Sequence, residues 1–250
     1  LSPGSDVKDW IVAAGQVGSL GAADLNFPDH FVKHDATQMA NFLSDAELAL
    51  NGVAMRYYTD PGFKLGAFTH PDLSVRKAAL DITKQGIDVC AAMGGKTVTL
   101  WMGQDGFDYA FQMDYAAAWD RTIETISELC AHNLAIDIAI EYKPNEPRAY
   151  ALMPDIGTTL LACKEVSAPN LGVTLDFAHV LYADEMPAHS AALIGRHSRM
   201  IGLHLNDGYG KRDDGLMVGS VHAIQTVELL VAMLRMNQTD VIYFDTFPDM

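Results

Sequence analysis

The chain has 250 residues, 49% apolar and 20% charged, which excludes bulk disorder and low-complexity or collagen-like sequence. Its 17 basic and 32 acidic residues give a formal net charge of −15, the wrong sign for a partner built of phosphates. No apolar run nears the ~20 residues of a membrane span, and Leu1 to Leu20 has neither the basic start nor the unbroken apolar stretch of a secretory signal.

Helical periodicity and short apolar strand-like runs alternate along the chain. Val7 to Val17 reads as a helix, then Leu20 to Leu25 as a strand. Ala36 to Leu50 is helical and Val53 to Tyr57 extended. Pro71-Asp72 opens a long amphipathic helix, Leu73 to Met93, closed by Gly94-Gly95 before a strand at Thr97 to Trp101. Helices at Tyr115 to Cys130, Asp155 to Val166, Ala188 to Gly195 and Val221 to Met236 are followed by strands at Ala135 to Glu141, Leu171 to Asp176, Met200 to His204 and Val241 to Asp245. Strands that alternate with helices pair in parallel, and continuously apolar strands are buried on both faces. The repeat predicts an α/β fold, a (β/α)8 TIM barrel in one domain spanning 1–250. The chain opens on a helix and closes on a strand, so the first strand and last helix are expected outside it, in a longer protein. An open doubly wound sheet is the alternative, without its GxGxxG fingerprint. Cys90, Cys130 and Cys163 are odd in number, with no CxxC pair; they read as buried hydrophobes of a cytoplasmic protein.

Four strands end on polar groups: Glu141, Asp176, His204 and Asp245, at intervals of 35, 28 and 41 residues. Each holds the same place in its unit, at the C-terminal mouth where barrel active sites sit. Three carboxylates and an imidazole would repel and desolvate one another there unless a cation joined them. Oxygen ligands with one imidazole suit Mn²⁺, Mg²⁺, Co²⁺ or Zn²⁺. The competing reading makes each residue a helix cap or half of an ion pair.

Lys143 lies two residues after Glu141 and points the same way, a cation beside the metal. Asp176 and His179 are three apart, from a strand end into a loop, and can flank two adjacent metal positions. Asp207, Asp213 and Asp214 follow His204 in a glycine-rich loop that is otherwise mobile surface. His70 is either a loop cap or a base at the mouth; Trp101 is core or a wall against a sugar's carbon skeleton. Asn206 is placed to orient a ligand, and His222 reads as structural.

FKLGAFTHPD (Phe63 to Asp72), TLWMGQDG (Thr99 to Gly106), EYKPNEP (Glu141 to Pro147), LDFAHV (Leu175 to Val180), HLNDGYGKRDDGL (His204 to Leu216) and FDTFP (Phe244 to Pro248) resemble the xylose-isomerase-like barrels of sugar isomerases and epimerases. Within that group they are most similar to the broad-range bacterial L-rhamnose isomerases. The resemblance implies a structural metal on Glu141, Asp176, His204 and Asp245, and a second, catalytic metal near His179 and the acidic loop. It also implies Lys143 beside the substrate, His70 near the sugar's ring oxygen, Mn²⁺ as the ion, and a homodimer or homotetramer. Gly215 departs from the pattern, standing where such isomerases carry a second aspartate, so one or two ions are expected.

These readings predict a metal-dependent aldose–ketose isomerase acting on a monosaccharide, with neither nucleic acid nor membrane as partner. Its catalytic residues would be Glu141, Lys143, His70 and Asp245, with substrate held by Trp101, His179 and Asn206. Metal ligands would be Glu141, Asp176, His204, Asp245, His179, Asp213 and Asp214. The final ligand, Asp245, is glutamate in most ketose 3-epimerases of this fold, which favours isomerase. A ketose 3-epimerase is the first alternative; a barrel that binds sugar or metal without turnover is another. An endonuclease of related fold would need a basic surface.

Overall fold

A computed structural model describes residues 6–238 and 241–247. Its helices are α1 (Val7–Gly15), α2 (Ala36–Asp45), α3 (Leu73–Ala92), α4 (Tyr115–His132), α5 (Ile156–Val166), α6 (Phe177–Tyr182), α7 (Pro187–His197) and α8 (Ala223–Arg235). Strands are β1 (Ala22–Phe27), β2 (Ala49–Met55), β3 (Thr97–Trp101), β4 (Gly106–Phe107), β5 (Asp137–Glu141), β6 (Tyr150–Ala151), β7 (Leu171–Asp176), β8 (Met200–Leu205) and β9 (Ile242–Phe244).

Seven strands form one parallel sheet in the order β1-β2-β3-β5-β7-β8-β9. The order never reverses, so the sheet has no topological switch point and the doubly wound alternative is excluded. It is the strand order of a TIM-barrel wall, with β1 and β9 as the edges of the described sheet. β7, near the middle, is buried along its whole length, as expected where helices cover one face and the barrel interior the other.

Aspartates start the helices. Asp6, Asp35, Asp72, Asp114, Asp155 and Asp176 cap α1 to α6, each accepting a backbone N–H of the first turn. Gln38 answers Asp35 to complete a capping box on α2. Anions at helix N-termini are favoured by both hydrogen bonding and the helix dipole, so part of the acidic surplus is capping chemistry. No helix of the described residues is long and apolar enough to cross a membrane. All three cysteines are buried and free, and burial pushes the Cys90 and Cys130 thiols up to about 11 and about 12.

Two expectations are corrected. The helix expected over Ala36 to Leu50 stops at Asp45, because Glu47 turns the chain at φ 57 and Ala49 already pairs with β1. The residues after Asp176 are not a loop but α6, for which the Asp176 carboxylate is the N-cap. Pro248 of the last motif lies outside the described residues.

Register delivers the polar strand ends to one place. Trp101 pairs with Glu141, Asp176 with His204, and His204 with Tyr243. Asp245 is two residues beyond Tyr243 and shares its face by strand alternation.

Candidate metal centre and active site

Glu141, Asp176, His204 and Asp245 each offer a ligand atom, and the four atoms lie within 4.8 Å of one another. His204 Nδ1 is 3.6 Å from Glu141 Oε1, 3.8 Å from Asp176 Oδ2 and 3.7 Å from Asp245 Oδ2. Those separations are too long for hydrogen bonds. They match donors bound about 2.1 Å from one shared ion, which stand about 3 to 4.3 Å apart. Nδ1 is buried and makes no hydrogen bond, a costly arrangement for a ring nitrogen facing three carboxylates unless a cation completes it. The residues therefore fit a divalent metal, and the oxygen-rich donor set with one imidazole fits the ions named above.

Asp176 is aimed by its neighbours: Asn206 Nδ2 donates to both of its oxygens, at 3.2 and 3.0 Å, and the His179 N–H to Oδ1 at 2.9 Å. Asn206 Oδ1 in turn accepts from Ala178 N. Asn206 is thus a buried brace for a ligand carboxylate, the outer-sphere support that metal sites depend on.

Charge in the cluster is uneven. Burial pushes Asp245 up to about 6, with Asp176 and Glu141 adding repulsion. Burial also raises Glu141, but His204 and His179 outweigh it and hold this carboxyl below its usual range. Asp176 is raised, chiefly by burial. Burial disfavours the charged form of both histidines, yet the carboxylates lift His204 to about 10 and His179 to about 9. Protons on the imidazoles supply the positive charge that the carboxylates demand.

A second polar group adjoins the first. Asp213 Oδ2 lies 3.1 Å from both His179 Nε2 and Lys143 Nζ. Burial raises Asp213, but those two cations bring it down to about 2. His179 Nδ1 hydrogen-bonds the Tyr142 carbonyl at 3.1 Å, which fixes the ring with Nε2 toward Asp213. Lys143 also meets Glu146 at 3.0 Å and sits 5.1 Å over the Trp101 ring.

The xylose isomerase-like TIM barrel model matches residues 14–249. The chain belongs to this family. Solved structures of similar fold include D-psicose 3-epimerase with D-tagatose from Clostridium cellulolyticum H10, at TM-score 0.76 and 15% identity, covering 98% of this chain and 81% of that one. D-allulose 3-epimerase from Methylomonas sp. in complex with D-allulose matches at TM-score 0.78 and 15% identity, over 98% and 80%. The IOLI protein with a bound zinc atom matches at TM-score 0.73 and 14% identity, over 96% and 84%. At such identities the likeness is one of fold. The sugar enzymes among these are ketose 3-epimerases rather than the rhamnose isomerases expected from the motifs.

Not every expected site residue of this xylose isomerase-like barrel reaches the cluster. His70 behaves as a loop cap: its Nδ1 accepts from Asp72 N at 3.0 Å and its carbonyl accepts from Arg76. Asp214 faces its own loop, accepting from Arg212 Nε and Tyr209 N, both at 2.8 Å, while Asp213 alone turns inward. Asp207 is fully buried and accepts from the backbone of Gly208, Val221 and His222 and from the His222 ring, so both are structural. Gly215 has a physical reason for lacking a side chain. Its φ is +57, and a Cβ there would stand 2.6 Å from the Phe247 ring. An aspartate at 215 would have to push the Phe247 ring aside and adopt a left-handed backbone.

Two residues escaped the sequence reading. Glu146 pairs with Lys143 from three positions on, a spacing visible in EYKPNEP. Asp105, fully buried in TLWMGQDG, accepts at Oδ1 from Ala67 N, Thr69 N and Thr69 Oγ1, while Oδ2 has no partner. An acid four residues past a strand end gives no pattern that would single it out.

Proposed function

We propose that this chain is a divalent-metal-dependent ketose 3-epimerase. The observation that carries the reading is the pair of carboxyls Glu141 and Asp245, which approach one imidazole nitrogen, His204 Nδ1, from separate elements at 3.6 and 3.7 Å. Two carboxyls set around one site can act as base and acid on a single carbon. The 3-epimerases of similar fold support the same choice.

Glu141, Asp176, His204 and Asp245 would hold the ion, with Mn²⁺ proposed. When bound, the metal supplies Lewis acidity that polarises the ketose oxygens and acidifies the proton on carbon 3. Glu141 takes that proton on one face, and Asp245 returns one on the other, which inverts the centre. Both carboxyls then exchange with solvent before the next turnover. Lys143 and His179 are placed to hold sugar hydroxyls, and Trp101 offers an apolar wall beside Lys143.

A second reading, aldose–ketose isomerase, is favoured by the aspartate at 245 and by the Lys143 ammonium near Glu141. In that chemistry the proton moves between carbons 1 and 2. The test is isomer analysis of products from a panel of free ketoses and aldoses with Mn²⁺-loaded protein in D₂O. A C3-epimer labelled at carbon 3 is expected. An aldose product with label at carbon 1 or 2 would replace the proposal with the isomerase reading.

A further inference from the structure

Glu141 and Lys143 share the mouth, so strand alternation turns the residue between them, Tyr142, the other way. It is buried, and its hydroxyl donates to Glu185 Oε2 at 2.7 Å. Its main-chain carbonyl accepts from His179 Nδ1 at 3.1 Å. One residue thus reaches two groups after β7, one through its side chain and one through its backbone.

Glu185 is well anchored. Its Oε2 also accepts from Ser190 Oγ in α7 at 3.1 Å, and its Oε1 from the Ile156 N–H at the start of α5, at 3.0 Å. Its own N–H donates to the Val180 carbonyl at 3.1 Å, which ties it to the end of α6. All three side-chain donors are neutral, so the contacts hold by direction rather than by ion pairing. Tyr142 therefore grips α6 twice. Its carbonyl holds the His179 ring, and its hydroxyl, through Glu185, reaches the residue after His179. The other side of that ring, Nε2, meets Asp213, which meets Lys143, the next residue after Tyr142. The contacts form a circuit that begins and ends on the same short segment.

We propose that Tyr142 is a positioning residue, latched by Glu185, that sets His179 and Lys143 against the sugar and Glu141 against the metal. It touches neither substrate nor ion; it acts through its two neighbours in the chain and through the imidazole on its carbonyl. The proposal rests on the reading of this centre as a sugar epimerase, and its test separates the two.

The test compares two buried tyrosines. Tyr57 shares a buried hydrogen bond of the same 2.7 Å with Thr83 Oγ1, outside the centre. With Mn²⁺-loaded protein, Tyr142→Phe is expected to lower kcat about 10- to 100-fold, the range for lost outer-sphere support and misplaced groups. Tyr57→Phe should lose a comparable amount of Tm yet keep kcat within about threefold of wild type, since it changes packing alone. Glu185→Ala should fall as far as Tyr142→Phe, while Glu185→Gln, which keeps an acceptor for the hydroxyl, should recover most of the rate. The double variant Tyr142→Phe/Glu185→Ala should be no slower than either single, because both break one contact. In ¹⁵N spectra the His179 Nδ1–H, sheltered by the Tyr142 carbonyl, should exchange faster with solvent in Tyr142→Phe and Glu185→Ala but not in Tyr57→Phe. That signal needs no sugar, so if wild type turns over none, the epimerase reading fails and the exchange rate alone decides the latch. Should Tyr142→Phe not fold, Glu185→Ala carries the same readings. Wild-type kcat or wild-type exchange in the folded variant, or equal losses in Tyr57→Phe, would overturn the proposal.

Discussion

The two acidic regions at the mouth look alike in sequence and behave differently in space. At the strand ends, Glu141, Asp176 and Asp245 converge on His204, whose Nδ1 has no hydrogen-bond partner. In the loop after β8, Asp207 and Asp214 have their oxygens occupied by backbone N–H groups, His222 and Arg212. Only Asp213 leaves that loop, to meet His179 and Lys143. Asp176 is a helix cap and a candidate ligand at once, its oxygens already accepting from Asn206 and the His179 N–H. What sets the centre apart from the loop is therefore convergence on one unpartnered imidazole nitrogen, which the loop aspartates do not share.

The largest test of that contrast is Glu141→Gln. It removes both a ligand charge and the proposed base, so turnover should fall about 10³-fold, within the range for general base catalysis, and metal content by elemental analysis should drop. Retained activity with full metal content would erase the distinction.

Next comes pH. Because His204 is lifted to about 10, the metal must displace its proton at neutral pH. Apparent metal affinity should therefore rise about tenfold per pH unit between 7 and 9. Below about 6 the slope should steepen, as Asp245 also takes up a proton. The linked stability has a definite sign. A group whose pKa is raised by folding stabilises fully below its unfolded value, and that stability is lost as pH climbs toward the folded value. Chelated protein should thus lose Tm from pH 7 to 10, while metal-loaded protein holds steady. Parallel pH profiles for the two forms would remove His204 from the site.

The loop gives the opposite signature. Asp207→Ala strands several buried donors and should cost about 2–4 kcal/mol in urea unfolding, with metal stoichiometry unchanged. Asp214→Asn should be the mildest, altering kcat by less than about threefold. Loss of metal in either variant would make the loop part of the centre.

Much of the fold was legible because the sequence repeats one unit. Thr97 to Trp101 and Leu171 to Asp176 match the observed strands residue for residue, since both are short apolar runs preceded by a clear break, Gly-Gly-Lys in one and Pro-Asn in the other. The four-residue centre was legible for the same reason: identical phase in successive units places side chains at one end of the sheet. What escaped lacked periodicity. The antiparallel pair β4 and β6 spans two residues on each side and carries no pattern. Helix α6 begins on a residue that also ends a strand, so Asp176 read as a ligand masked Asp176 as a cap. The second metal inferred by resemblance for His179 and the acidic loop meets a lysine there: Lys143 Nζ already lies 3.1 Å from Asp213.

Phe247 lies two residues past Asp245, and Gly215 lies two residues past Asp213. The Phe247 N–H donates to the Gly215 carbonyl at 2.9 Å while its ring covers the bare Cα. This clasp joins the end of β9 to the loop after β8, so the two carboxylates from separate elements hang from one fastening. A side chain at 215 would press on the Phe247 ring, at the joint between the two segments that carry Asp213 and Asp245. The glycine that looked like a missing ligand is thus half of a fastening between the segments that carry Asp213 and Asp245.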